Sequence, residues 1–233
     1  MAEIISVIGN KGGTGKTSLS HVLCQGLGLL GYRAACVLTD TSREPLNPAG
    51  RRYVTADART RDALGKVVDK LRTLDHWIGV VDGGGNRSEM DKHLYALSDI
   101  VLLPFRESHE DIRTVIRDLE RFPRAYAVPS QWPTNAWQRE AADRQVRDLM
   151  RPYHHRILNP VKALSATKLL LQRELPDQLP TPLANTCRAF AREVLALLEL
   201  EAPSAPDEAL PASPVIEAEE MPLRLATGRN PMS

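Results

Sequence analysis

Aromatic residues are scarce in this sequence, with three Trp, five Tyr and three Phe among 233 residues. A surface that grips single strands by stacking bases on interleaved aromatics is therefore not expected. Cysteine is scarcer still. Cys24, Cys36 and Cys187 are odd in number and unclustered, which excludes a disulfide framework and reads as reduced packing residues, and no metal-binding motif appears. No apolar run approaches the ~18 residues of a membrane span, and the first residues lack the charged and apolar segments of a secretion signal. The expected location is the cytoplasm. An excess of one charge is missing too: 30 basic against 29 acidic residues give +1, which argues neither way about nucleic acid. That average conceals a gradient, because residues 201–233 hold six acids and two arginines, leaving the preceding part roughly five units positive.

What the sequence does have is concentrated in residues 4–19, IISVIGNKGGTGKTSL. Ile4, Ile5, Val7 and Ile8 form a β-branched run with strand character that stops at Gly9. From Leu19, apolar residues recur at Val22, Leu23, Leu27 and Leu30, the period of a helix packed on one face. A loop between such a strand and such a helix gathers backbone N–H groups and the positive end of the helix dipole at one point, where polyphosphate charge is stabilised. Gly12, Gly13, Thr14, Gly15, Lys16, Thr17 and Ser18 make up the candidate cradle. Lys16 can reach the β- and γ-phosphates, and the Thr17 hydroxyl can ligate Mg²⁺.

This loop departs from the usual pattern by carrying a second lysine, Lys11, before the double glycine, and Asn10 where glycine is usual. KGGTGKT resembles the deviant Walker A box of the ParA/MinD family of ATPases. That resemblance implies ATP as the nucleotide and an ATP-dependent homodimer in which Lys11 reaches across to the partner's phosphates.

Residues 34–38 form a second apolar run, followed by Asp40, where an open parallel sheet places ligand-binding groups. The resemblance makes Asp40 the carboxylate that positions the attacking water; the family's second aspartate is replaced by Ser42. Residues 43–50 read as an irregular loop and 52–56 as a short extra strand. Apolar spacing through Leu64, Val67, Val68, Leu71 and Leu74 predicts a helix. Residues 77–81 then form a buried strand closing on Asp82 and Gly83, Gly84 and Gly85. This resembles Walker B, with Asp82 serving the Mg²⁺ shell.

Beyond it, residues 90–97 predict a helix, 99–104 a core strand, and Ile112, Val115, Ile116 and Leu119 an amphipathic helix. Residues 126–128 read as a short strand with the VPSQWPT loop after it, 136–150 as an arginine-rich helix, 153–157 as a last strand and 161–174 as a further helix. A closing helix runs to about residue 200. Residues 201–233, acidic and rich in proline, read as a disordered tail appended to an ATPase domain of residues 1–200. The alternation of strands and helices predicts an α/β fold, a doubly wound, mostly parallel sheet with helices on both faces.

The resemblance implies further that the dimer binds DNA without sequence preference, associates with the nucleoid and positions or segregates a cargo (a plasmid, a chromosome region or a protein organelle such as a carboxysome) through a ParB-like stimulator or cargo adaptor that triggers ATP hydrolysis. The candidate DNA surface comprises Arg139, Arg144, Arg147, Arg151, Lys162, Lys168, Arg173, Arg188 and Arg192. A membrane partner is not expected, since the tail is acidic and broken by prolines. Two other readings stand beside this one. A metal-cluster carrier of the same P-loop class would need bridging cysteines, and none lies between Cys36 and Cys187. A regulator that binds nucleotide without turnover would not need Lys16, Thr17, Asp40 and Asp82 together.

Overall fold

The computed structural model describes residues 1–40, 50–84, 88–176 and 178–200. The expectations for Ser42, Gly85, the loop to residue 49 and the tail lie outside them. Among the described residues seven strands form one sheet: β1 (Glu3–Val7), β2 (Arg33–Leu38), β3 (Val54–Asp57), β4 (Trp77–Asp82), β5 (Ile100–Phe105), β6 (Ala125–Trp132) and β7 (Val161–Lys162). Their order is β3-β2-β4-β1-β5-β6-β7, and every pairing is parallel. The helices are α1 (Lys16–Leu29), α2 (Arg61–Arg72), α3 (Ser88–Leu97), α4 (His109–Arg121), α5 (Ala136–Leu149) and α6 (Thr181–Leu197).

Strand side chains alternate between two cores, so the central strands read as unbroken apolar runs. Ile5, Val7, Cys36, Ile78, Val80 and Leu102 pack with α1 and α6, while Ile4, Val37, Val81, Val101 and Leu103 pack with α2, α3, α4 and α5. All three cysteines are buried in the α1/α6 layer. The seam between those helices is tight: a methyl group on Gly26 would collide with the Cys187 backbone.

The second half departs from the sequence expectations in three places. Residues 153–157, expected as the last strand, do not form one: Arg151–Arg156 is a 3₁₀ helix, and Ile157 makes only an isolated bridge to Ala127. The last strand is instead Val161–Lys162, where a helix to residue 174 was expected; only Ser165–Leu171 is helical, as a 3₁₀ segment. Third, β6 runs through Pro129 to Trp132 instead of breaking into a loop after Val128. Pro129 stands opposite Phe105 near the carboxyl end of the sheet, and the strand bends at Gln131, whose φ of 53° accompanies a register shift between Ser130 and Trp132 against β7.

Candidate nucleotide-binding site

β1 lies at the centre of the sheet between β4 and β5, and the loop that leaves it enters the crevice where the crossovers diverge. Gly13 and Gly15 take φ of 78° and 91°, which glycine tolerates without strain. Gly15 is also the N-cap of α1 and offers no side-chain cap, whereas Thr60, Ser108 and Asn135 each cap their helices through side-chain oxygens. The first N–H groups of α1 thus face the loop uncapped, at the positive end of its dipole. Thr14 is buried and its hydroxyl donates to the Lys11 carbonyl. Thr17 and Ser18 are half-buried at the start of α1.

Lys16 is 7% exposed, and its Nζ donates to the carbonyls of Gly9 at 3.0 Å and Lys11 at 2.7 Å. Burial lowers its pKa from the ordinary lysine value, opposed by the carboxylates of Asp91, Asp82 and Asp118. Lys11 turns outward to α4. Its Nζ lies 2.8 Å from Glu110 Oε2 and 2.5 Å from Asp111 Oδ1, and hydrogen bonds to Asp111 and Glu110 raise its pKa.

The strand ends bring the two candidate aspartates to the same edge. Asp82 pairs in register with both Val7 and Leu38, and Asp40 follows Leu38 by two residues. The Thr39 hydroxyl donates to the Asp82 carbonyl at 2.8 Å and accepts from the Gly84 N–H at 3.3 Å, tying β2 to the β4 exit. Gly83 donates its N–H to the Val7 carbonyl, and a Cβ there would press on that same oxygen. That close approach is what the small residues after Asp82 permit. The Thr17 hydroxyl and the Asp82 carboxylate, a hard oxygen set, suit Mg²⁺ beside a phosphate cradle.

Beside the loop, on the β7 side, opens a cleft of about 280 Å³ whose lining includes Ser18, Ser130, Gln131, Lys162, Ser165 and Lys168. A Cβ on Gly15 would lie 2.7 Å from Ser130 Oγ and 2.9 Å from Gln131 Nε2, so the end of β6 forms the wall of the cradle. Two of the basic residues assigned to a DNA surface, Lys162 and Lys168, also line this cleft.

No protein-family model matches the chain, and no curated protein matches it. Solved structures do. MinD of Aquifex aeolicus superposes with a TM-score of 0.64 at 17% identity, covering 88% of this chain and 99% of that one. The fold is that of the MinD and ParA ATPases. An ATP complex of a Cyanothece McdA variant superposes on this fold at a TM-score of 0.61, with 14% identity and coverage of 88% and 99%. ParA of pNOB8, solved bound to nonspecific DNA, does so at 0.60, with 12% identity and coverage of 85% and 99%. At such identities the likeness carries the ParA/MinD architecture alone.

The sequence reading missed the acids that surround this loop. Glu110 and Asp111 open α4 and hold Lys11, Asp118 lies a further two turns along α4, and Asp91 sits on the first turn of α3. Each reads in sequence as an ordinary helix acid. A signal was present only for the first pair, where Ser108 and the acids after it form a helix start.

Proposed function

We propose that this chain is a ParA-like ATPase that dimerises around ATP, binds DNA without sequence preference and positions a cargo through partner-stimulated hydrolysis. One observation carries the reading: a phosphate loop with a second lysine opens at the centre of a ParA/MinD-fold sheet, beside an edge that also presents Asp40 and Asp82. The loop N–H groups and Lys16 bind the phosphates. Thr17 and Asp82 hold Mg²⁺, which supplies charge neutralisation on the transferred phosphoryl group. The cleft walled by Ser130 and Gln131 receives the base and ribose, and Asp40 orients the attacking water. Lys11 leaves α4 to reach the phosphates held by a second copy.

Support for DNA as partner comes from the pNOB8 ParA complex with nonspecific DNA and from the exposed arginines of α5 and the segment after it, Arg144, Arg147 and Arg151. The positioning of a cargo is part of that ParA-like reading, and the likeness of fold to McdA and ParA supports it. The deciding experiment is phosphate release from Mg²⁺–ATP by the full chain beside Lys16→Ala, with sedimentation in a slowly hydrolysed ATP analogue. Turnover above the Lys16→Ala background together with a nucleotide-dependent dimer is expected. Binding without turnover would favour a regulator, and no nucleotide binding would reject the reading.

A further inference from the structure

Asp91 is a buried carboxylate to which the proposed function gives no task. It stands on the first turn of α3, 3% exposed, and its Oδ1 is enclosed without a hydrogen-bond partner among the described residues. Such an atom needs an explanation. The charged groups whose fields act on it are Lys16 of α1 and Asp118 and Arg121 of α4. From the other side, Lys16 is a buried ammonium whose two hydrogen bonds go to neutral carbonyls, and Asp91 leads the carboxylates that keep it charged. A charge withdrawn from water requires such a counter-charge.

A polyphosphate in the cradle changes this balance. It brings several negative charges to the same ammonium, and Asp91 is left facing added anionic charge with a bare oxygen. Like charge at short range in a desolvated site drives a carboxylate to take a proton. Burial raises the pKa of Asp118 as well, but this carboxylate also accepts the Asn10 backbone N–H, a bond that favours its charged form and that Asp91 lacks. We propose that Asp91 is a positioning residue that balances the charge of Lys16 until a polyphosphate does so, and that it then takes a proton from solvent, coupling nucleotide binding to proton uptake. The inference rests on the nucleotide reading of the loop. It is reinforced by the poise of Asp91, whose pKa burial has already raised to about 6, so that a modest further rise crosses neutrality.

The test is calorimetric titration of the full chain with ADP and Mg²⁺ at several pH values, each in two buffers of different protonation enthalpy. Uptake approaching roughly one proton per site near pH 7.5, shrinking toward zero at pH 5, is the expected result. Asp91→Asn should still bind nucleotide and lose that uptake. Nucleotide binding by the unmodified chain with no uptake between pH 6 and 8 overturns the inference alone, whether or not the variant folds, as does uptake unchanged in Asp91→Asn. Absence of binding by the unmodified chain overturns both the inference and the reading beneath it.

Discussion

The Lys11 ammonium lies 2.5 Å from a carboxylate oxygen of Asp111, a side chain that solvent does not reach. The carboxylate also accepts from the Arg106 N–H and the Ser108 hydroxyl, so it is fixed in place. In the proposed dimer Lys11 has to exchange this partner for phosphate oxygens, and the strength of the pair sets the cost of that exchange. Burial by itself would raise the Asp111 pKa, but hydrogen bonds from Lys11, Ser108 and Arg106 outweigh it and hold the carboxyl below the ordinary value. A carboxyl depressed in the folded chain contributes stability above its unfolded pKa and loses it as pH falls through the folded one.

Asp111→Asn is therefore expected to lower stability by about 1–3 kcal/mol at neutral pH and to flatten the loss of stability below pH ~4. Thermal unfolding between pH 2 and 7 measures both, and an unchanged acid limb would show that Asp111 is not depressed. The same variant is the needed control for Lys11→Ala, which takes one partner from a buried carboxylate as well as removing the cation proposed to reach a second copy's phosphates.

Asp91 carries the opposite sign. Its folded pKa of about 6 lies above the unfolded value, so protonated Asp91 favours folding and stability declines as pH rises from about 4 to about 6. Asp91→Asn should unfold at a higher temperature than the unmodified chain at pH 7.5, with a smaller difference or none at pH 4. A gap that is constant across pH would place the effect in packing instead of ionisation.

How far the sequence alone reached can be read from these residues. The glycine-rich loop, β1, α1 and the strands that lead to Asp40 and Asp82 were legible because their signal is local: glycines at fixed spacing, an apolar run and an acid at or just past its end. Lys11 was legible as an unusual lysine, but its link to Asp111 joins residues 100 positions apart, which no local pattern encodes. The stretch from Pro129 to Leu171 misled for a related reason. Pro129 and Pro133 are ordinary loop signals, yet β5 and β7 on either side hold the chain extended through Trp132. Val161 and Lys162, too short to register as a strand by pattern, become one because β6 provides an edge.

Asp40→Ala should retain nucleotide affinity while slowing turnover by roughly 100-fold, since Asp40 stands at the carboxyl end of the sheet beyond the loop proposed to hold the phosphates. Isothermal titration and single-turnover hydrolysis separate the two effects. Loss of both together would make Asp40 a structural residue of the β2 exit.

Gly26→Ala tests the seam between α1 and α6. The added methyl would enter the Cys187 backbone and crowd the Ala191 side chain, so the helices would have to part, at a cost of about 1–3 kcal/mol. A lowered midpoint in denaturant with an unchanged slope is expected. Gly65→Ala, where nothing lies within 4 Å of the new methyl, should be neutral or stabilising, because alanine favours the helix by about 1 kcal/mol.

DNA binding divides the basic residues into two sets. Arg144 and Arg147 on α5 and Arg151 beyond it are exposed, with Arg144 already paired to Glu140 on the same helix, whereas Lys162 and Lys168 line the cleft beside the phosphate loop. If the arginines contact phosphates, Arg147→Ala and Arg151→Ala should each weaken retention on random duplex equally across sequences and reduce the log–log salt slope by roughly 0.9. Lys162→Ala and Lys168→Ala should instead act through nucleotide affinity and leave that slope unchanged once the cradle is saturated. Retention should also require ATP, because one copy offers too few phosphate contacts and a dimer doubles them. Filter retention across a salt series, with ADP and with a slowly hydrolysed ATP analogue, reads all three effects. Equal retention with either nucleotide, or slopes that fall for the lysine variants and not for the arginine ones, would move the DNA face away from α5 and toward the rim of the cleft.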